Sequence, residues 1–439
     1  MKTQFQRRLM PACGRDVGTK TIPMLLAGLA IAWPVYSQTL GEALEQAWAR
    51  HPQAAAVSAR EDEARARADV AAGITPGPAA LSLSSLNDRF NRNRGKQEWE
   101  AEMAVPLWLP GQQSARVAEA ESTFAEVAAR RAALRLQIAG EVREAWWAVA
   151  DARNARDLAR RRATTAGALE ADVLRRFKAG DLARIDANLA QGERLAGEAE
   201  AIEAEAALLR AEQIYRNLTG AAAPSVLAAE AAIAAREPVG PHPQPLSREG
   251  RGEHSESLRD LPGLDHPQLA AVAAAARTAR AKLRVAEGTR RDAPEIALRV
   301  VRERGEFAEP YASTVGVKLT IPFSSGARVR QENAAARAEA SQADAELTLA
   351  RLRLQLDTEK ARLDLAAAER QFAMARERRE LTADNLRLAE KAFSLGESDL
   401  TTLLRVRAGA FEAEAFHNRQ QVARAAAQSR LKQVLGVLP

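Results

Sequence analysis

Cysteine is almost absent: Cys13 is the only one in 439 residues, which excludes a disulfide-stapled scaffold. The chain lacks neither apolar residues nor charge balance, with 46% apolar and 27% charged. A disordered tail has the opposite profile. The length suffices for two or three ordinary domains. A strong excess of one charge is also missing. The net charge is +6, but residues 1–37 hold Lys2, Arg7, Arg8, Arg15 and Lys20 against Asp16. That leaves only +2 for the rest, spread among mixed charges, so no phosphate-binding surface for nucleic acid is indicated. Catalytic signatures are missing as well. There is no Gly-rich phosphate loop, no zinc-ligand spacing and no Ser or Cys nucleophile context. This excludes the usual enzyme classes and implies no cofactor and no catalytic or metal site.

No apolar run reaches the length of about 20 residues that a membrane-spanning helix needs. The longest, Ile22 to Trp33, follows the basic start and precedes Pro34-Val35-Tyr36-Ser37-Gln38. This reads as a secretory signal cleaved after Ser37, with Val35 and Ser37 as its small residues. Translation starting at Met10 gives a leader of more ordinary length. Cys13 precedes the apolar run, so it is not a lipidation cysteine. The expectation is an exported chain without a mature thiol.

What is present is a duplication. His51-Pro52-Gln53 recurs as His266-Pro267-Gln268, an offset of 215. Val105-Pro106-Leu107 recurs as Ile321-Pro322-Phe323, an offset of 216. Gly111 matches Gly326, Phe177 matches Phe393, and Gly180 matches Gly396. Offsets that hold over a whole repeat describe a duplicated half-molecule rather than a solenoid unit. The halves run over residues 38–220 and 264–439. Between them, residues 221–263 turn rich in Pro, Gly and charge and read as a linker or insertion. His242 and His254 lie there without metal-ligand spacing.

Each half has the same grammar. In the first, Thr39 with Glu42 predicts a capped helix start, and the helix runs to about Ala72 before Gly73-Ile74-Thr75-Pro76-Gly77-Pro78. Two strands follow, over about 79–86 and 97–107. In the second strand Trp99, Ala101, Met103, Val105 and Leu107 alternate with Glu98, Glu100, Glu102 and Ala104, a period of two with carboxylates on one face. The second half repeats this over about 294–302 and 311–322. An ordinary soluble hairpin has such a pattern, and so does a membrane strand with a watery face and a lipid face. Trp99, Trp108, Tyr311 and Phe323 lie near strand ends, where interfacial aromatics sit.

Proline then disappears from Gly111 to Ala223 and from Phe323 to Leu438. Long helices are predicted over about 112–178, 182–218, 327–395 and 400–435. The first is about 100 Å long at 1.5 Å per residue. Val117, Phe124, Ile138, Ala145, Ala152, Ala159, Ala166 and Val173 step by sevens as a coiled-coil seam, with Arg131 the one lapse. A second stripe holds Ala120, Val127, Leu134, Ala148, Ala155 and Leu169, interrupted by Glu141 and Arg162. Trp146-Trp147 reads as helix packing. Four strands cannot close a membrane barrel, whose edges leave backbone groups unpaired in lipid, and the smallest such barrels have about 8 strands. Chains must therefore associate, and three give twelve strands.

The duplicated hairpins ending Val105-Pro106-Leu107 and Ile321-Pro322-Phe323 carry a resemblance. So do the turns Phe177-Lys178-Ala179-Gly180-Asp181-Leu182 and Phe393-Ser394-Leu395-Gly396-Glu397-Ser398-Asp399-Leu400. The combination resembles the TolC-type outer membrane factors, with hairpin and spacing nearer the CzcC-type branch tied to metal or small-cation efflux. The resemblance implies a mainly α protein with membrane β: a homotrimer joining a 12-stranded barrel in outer membrane lipid to a periplasmic α-helical barrel. It further implies an efflux channel served by a periplasmic adaptor (membrane fusion) protein and an RND-type inner-membrane pump. The turns at Gly180, Leu182, Gly396 and Leu400 correspond to the periplasmic tips that meet the adaptor. Asp181, Asp186, Glu397 and Asp399 become pore-constriction candidates. The same acids near helix N-termini are equally read as caps. A periplasmic adaptor, or a soluble coiled-coil scaffold, is the rival reading; an adaptor has one helical hairpin rather than two.

Overall fold

The computed structural model describes residues 39–230, 266–323 and 326–439. The leader with its cleavage point, and the linker with His242 and His254, lie outside the described residues apart from the short stretch 221–230.

Each half supplies helices, a hairpin, and two long helices. The first half gives α1 (Leu40–Arg50), α2 (Pro52–Ala71), β1 (Ala80–Asn87), β2 (Gln97–Pro106), α3 (Gln112–Ala179) and α4 (Arg184–Thr219). The second gives α5 (Pro267–Gly288), β3 (Glu295–Arg304), β4 (Ala312–Thr320), α6 (Gly326–Ser394) and α7 (Leu400–Val434). Helix α1 starts as its sequence dictates. The Glu42 N–H donates to Thr39 Oγ1 at 3.2 Å, and the Thr39 N–H donates to the Glu42 carboxylate at 3.1 Å. This reciprocal box satisfies donors that the first turn leaves without partners.

The duplication is visible in backbone detail. His51 and His266 cap α2 and α5 with nearly identical dihedrals, φ/ψ −72°/122° and −74°/119°. Both long hairpins reverse at a left-handed glycine, Gly180 with φ 89° and Gly396 with φ 77°. A β-carbon disfavours that conformation, so glycine stands at both reversals. The residue after each glycine donates five positions back, Asp181 N–H to Arg176 O and Glu397 N–H to Ala392 O, both 2.9 Å.

The four strands form one antiparallel sheet in the order β1-β2-β3-β4. The central β2–β3 pairing joins the repeats, from Gln97 opposite Arg304 to Pro106 opposite Glu295. All helices leave the same end of this sheet. Residues 88–96 and 305–311 form the loops at its other end. Among the described residues, β1 pairs only with β2 and β4 only with β3.

Helix α3 is the spine. It packs on α1, α2, α4, α5 and α7, whereas α6 packs on α5 and α7. The main core gathers Leu44, Ile138, Val142, Trp146, Leu208 and Tyr215. Trp146 is fully buried, with its ring centroid 6.2 Å from that of Tyr215. Burial pushes the Tyr215 phenol up to about 12. The seam positions Ile138, Ala145, Ala159, Ala166 and Val173 are buried, while Phe124 near the sheet is 40% exposed. The second stripe departs from expectation at Ala148 and Ala155, which are exposed. In this stretch Trp146, Trp147 and Val149 face the core instead. With α1, α4 and α7 all packed on it there, α3 buries a wide arc rather than a two-line seam.

Candidate functional site

The hairpin tips carry the predicted site residues. Leu169, Val173, Ala187 and Ala190 of the first hairpin share a core with Phe393, Leu400 and Leu403 of the second. The Arg176 guanidinium lies 5.1 Å over the Phe393 ring and ties the two tips together. Leu400 is 2% exposed and builds this core. Leu182 packs at its edge. The exposed apolar side chains at the tips are others, Ile185 at 66% and Leu395 at 63%.

The four acids separate into two kinds. Asp186 accepts from the Ala183 N–H at 3.2 Å, and Asp399 accepts from the Thr402 N–H at 3.0 Å. Both are caps. Hydrogen bonds from Thr402 hold the Asp399 carboxyl below its ordinary range. Asp181 and Glu397 are exposed and make no such bond. They are equivalent residues, each directly following the left-handed glycine of its hairpin.

Midway along α3, against the C-terminal end of α7, lies a buried ionic cluster that no local motif announces. Arg143 donates to both oxygens of Glu230 at 2.9 and 3.0 Å, and Lys432 lies 3.2 Å from the same carboxylate. Ser429 also donates to it. Arg143 reaches Gln433 at 2.5 Å and the Val437 carbonyl at 3.0 Å. Burial alone would raise the Glu230 carboxyl. The bonds from Arg143, Ser429 and Lys432, with the Arg143 charge, outweigh it and hold the group below its ordinary range. First repeat, second repeat and the start of the linker are thus clasped in one cluster. Its members lie 87 and about 200 residues apart in the chain, so only the fold could reveal it.

The sheet has two unlike faces. One carries Glu100 and Glu102, paired with Arg299 at 2.6 Å and Lys318 at 3.1 Å. On the other, register aligns Leu81, Met103, Leu298 and Val317 in one row and Leu83, Ala101, Val300 and Val315 in the next. Every large residue of those rows is exposed, Val317 by 72% and Leu83 by 76%. Such an exposed apolar patch marks an interaction surface. No described helix is long and apolar enough to cross a membrane, and no described cluster of three His, Cys, Asp or Glu is arranged to hold a metal ion.

Residues 264–437 match the family described as outer membrane efflux protein. The second repeat is thus similar to that family over nearly its whole length. Members of that family are channels, not enzymes. Over 252 residues the chain is 27% identical to the cobalt-zinc-cadmium resistance protein CzcC of Cupriavidus metallidurans. That match spans 57% of this chain and 55% of CzcC, about half the relative's length. Solved structures share the fold across nearly the whole chain. The outer membrane protein VceC of Vibrio cholerae matches with a TM-score of 0.70 at 16% identity, covering 91% of this chain and 96% of VceC. The CmeC outer membrane channel of Campylobacter jejuni matches with a TM-score of 0.69 at 13% identity, covering 97% and 94%.

Proposed function

We propose that three copies of the chain close into an outer membrane channel that exports substrates delivered by a periplasmic adaptor and an RND-type inner-membrane pump. The observation that carries this reading is that the protomer is unfinished along both margins. Strands β1 and β4 each leave one edge unpaired, and in lipid such an edge is too costly to persist. Below the sheet, α6 bares Leu349, Leu356 and Leu363, then Met374, Leu381 and Leu388, with Leu395 just past its end, each more than half exposed. These step by sevens, with one step of eleven that keeps the line on one face. On the opposite margin α4 bares Leu195, Ile202 and Leu209 at the same spacing.

Setting β4 against the next copy's β1, and α6 against its α4, completes both margins together. Repeated head to tail, such a contact closes into a ring, and three copies give twelve strands, above the minimum for a membrane barrel. The apolar sheet face then meets lipid and the charged face lines the lumen. The long helices reach about 100 Å from the barrel into the periplasm. Their turns around Gly180, Leu182, Gly396 and Leu400 are the adaptor-facing tips in this reading. Asp181 and Glu397, the two uncapped acids, then supply six carboxylates at the narrow end, a mouth that attracts cations. The relationship to CzcC supports divalent metal cations as the cargo.

The test is conductance across planar bilayers by the purified chain. Stable channels with cation preference, reduced by Asp181→Asn with Glu397→Gln, are expected. Silent bilayers despite a folded, detergent-extracted particle would contradict the reading.

A further inference from the structure

Charges on the two sheet faces are treated differently. On the lumen-side face Arg299 and Lys318 are both neutralised by carboxylates. On the apolar face, beyond the rows of Leu298 and Val300, the next residues of β3 are Arg302 and Arg304. Arg302 is exposed, stands opposite Trp99 in the register, and makes no ion pair. Its guanidinium lies 4.8 Å over the Tyr311 ring. Arg304 lies 4.7 Å from the same ring and 5.5 Å from Phe307, and donates to the Gly95 carbonyl at 3.1 Å.

The loop that ends this face adds Arg89, Arg92, Arg94 and Lys96, all exposed and, among the described residues, all without an ion pair. Its one acid, Asp88, is turned inward onto the N–H groups of Arg94 at 2.8 Å and Gly95 at 3.3 Å. The neighbouring loop contributes Glu306 and Glu309, the latter bonded to the Gly305 N–H at 2.9 Å. The two loops are fixed to each other. Phe307 donates its N–H to the Arg94 carbonyl at 3.1 Å and packs so closely that a β-carbon at Gly95 would stand 2.6 Å from it. Tyr311 donates to Gln97 at 2.7 Å. Exposed rings, Phe90 at 98% and Trp99 at 53%, share this end of the sheet.

We infer that the loop end of the apolar sheet face binds the phosphate groups of a phosphorylated lipid of the outer leaflet, with Arg302 at the centre and Arg89, Arg92, Arg94 and Lys96 around it. The inference rests on the barrel reading above. Apolar rows continuing directly into unpaired guanidinium groups fit a ligand with acyl chains on one side and phosphate on the other. Arginine suits phosphate through its planar fork of donors. A free anion would have no use for the adjoining rows of Leu83, Leu298 and Val315.

The test places the full chain in phosphatidylcholine nanodiscs doped with bis-phosphorylated lipid A or with its dephosphorylated counterpart, and counts retained lipid by native mass spectrometry. Preferential retention of the phosphorylated form is expected. Each juxtamembrane cation contributes about 1 kcal/mol to anionic-lipid binding, a factor of about five, so Arg302→Gln should weaken retention about fivefold. Arg89→Gln, Arg92→Gln and Arg94→Gln together should weaken it on the order of a hundredfold. Equal retention of both lipids, or unchanged retention by the variants, overturns the inference while leaving the barrel intact. Displacement of the lipid by inorganic phosphate alone overturns it too, reducing the surface to a plain anion site. Failure of the wild type to enter any nanodisc overturns the barrel reading and this inference with it.

Discussion

Helices α3 and α6 are one element met twice. They have 68 and 69 residues, each follows a hairpin, and each ends at a left-handed glycine. Yet α3 buries eighteen described residues, including Trp146 and Trp147, while α6 buries six. Five of the six, Ala340, Leu347, Ala361, Ala368 and Ala375, fall on one heptad line. The leucines on α6's other line stand in the open. Ionic contacts follow the same division. Between α3 and α4, Arg153 meets Glu212 at 3.0 Å, Arg162 meets Glu193 at 3.0 Å and Glu200 at 2.5 Å, and Arg194 meets Glu170 at 2.8 Å. Between α6 and α7 there are Arg378 with Glu412 at 3.4 Å and Arg407 with Glu390 at 2.7 Å. The difference teaches that repeated sequence sets the element, whereas its place in the protomer sets what covers it. Helix α3 is interior. Helix α6 is exposed along one line, the margin that another copy covers in the proposed trimer.

The comparison breaks most completely at that margin. Leu356→Asp with Leu381→Asp puts charge into the α6 line that the next copy covers in the proposed trimer, and should abolish that trimer. Mass photometry in detergent reads this directly, and circular dichroism should show helix content unchanged. The same pair of changes in the interior of α3 would unfold the chain instead.

Next in size is Trp146→Ala. Removing a fully buried indole leaves a cavity and should cost about 3–5 kcal/mol, seen in the denaturation midpoint. Alanine at Leu363, 69% exposed on α6, should leave the dissociated chain's stability nearly unchanged and weaken only association. Equal losses at the two sites would erase the distinction between interior and margin.

Glu230→Gln sharpens the account of what holds the repeats together. It leaves Arg143 and Lys432 buried without their carboxylate, a loss of about 3 kcal/mol. The wild-type contribution should also depend on pH with a definite sign. Because the folded carboxyl is held below its ordinary range, its stabilisation is present above the unfolded value and lost as pH falls through the folded one. Melting curves of wild type and variant should therefore converge in acid.

The smallest effect belongs to His266. Burial pushes its imidazole below the ordinary value, so the folded chain binds fewer protons than the unfolded one. Stability is complete above the unfolded value of about 6.5 and declines as pH falls through it toward the folded value. His51, the equivalent cap, accepts the Gln53 N–H through Nδ1 at 3.3 Å. His266→Asn should flatten the mildly acidic limb of the melting profile.

Much of the architecture could be read from the residues because the signals are local and doubled. Alternation marked β2 and β4, the missing prolines marked the four long helices, and glycine marked both reversals. The tip acids were legible as a set, but not their division. Whether Asp186 or Asp181 turns back onto a helix N-terminus depends on where α4 begins, at Arg184, two residues later than the spacing indicates. The exposure of the α6 leucines was hidden because a heptad line reads the same whether it is covered within one chain or between copies. The Arg143–Glu230–Lys432 cluster was invisible, since no periodicity relates residues so far apart.

In the proposed assembly this chain is a third of a tube. Electron microscopy of the particle extracted from outer membranes with detergent tests it most directly. The account predicts a threefold particle with a short twelve-stranded barrel on a helical shaft about 100 Å long. A monomeric or dimeric rod that stays soluble without detergent would contradict it, and would return the sheet to an ordinary hairpin pair.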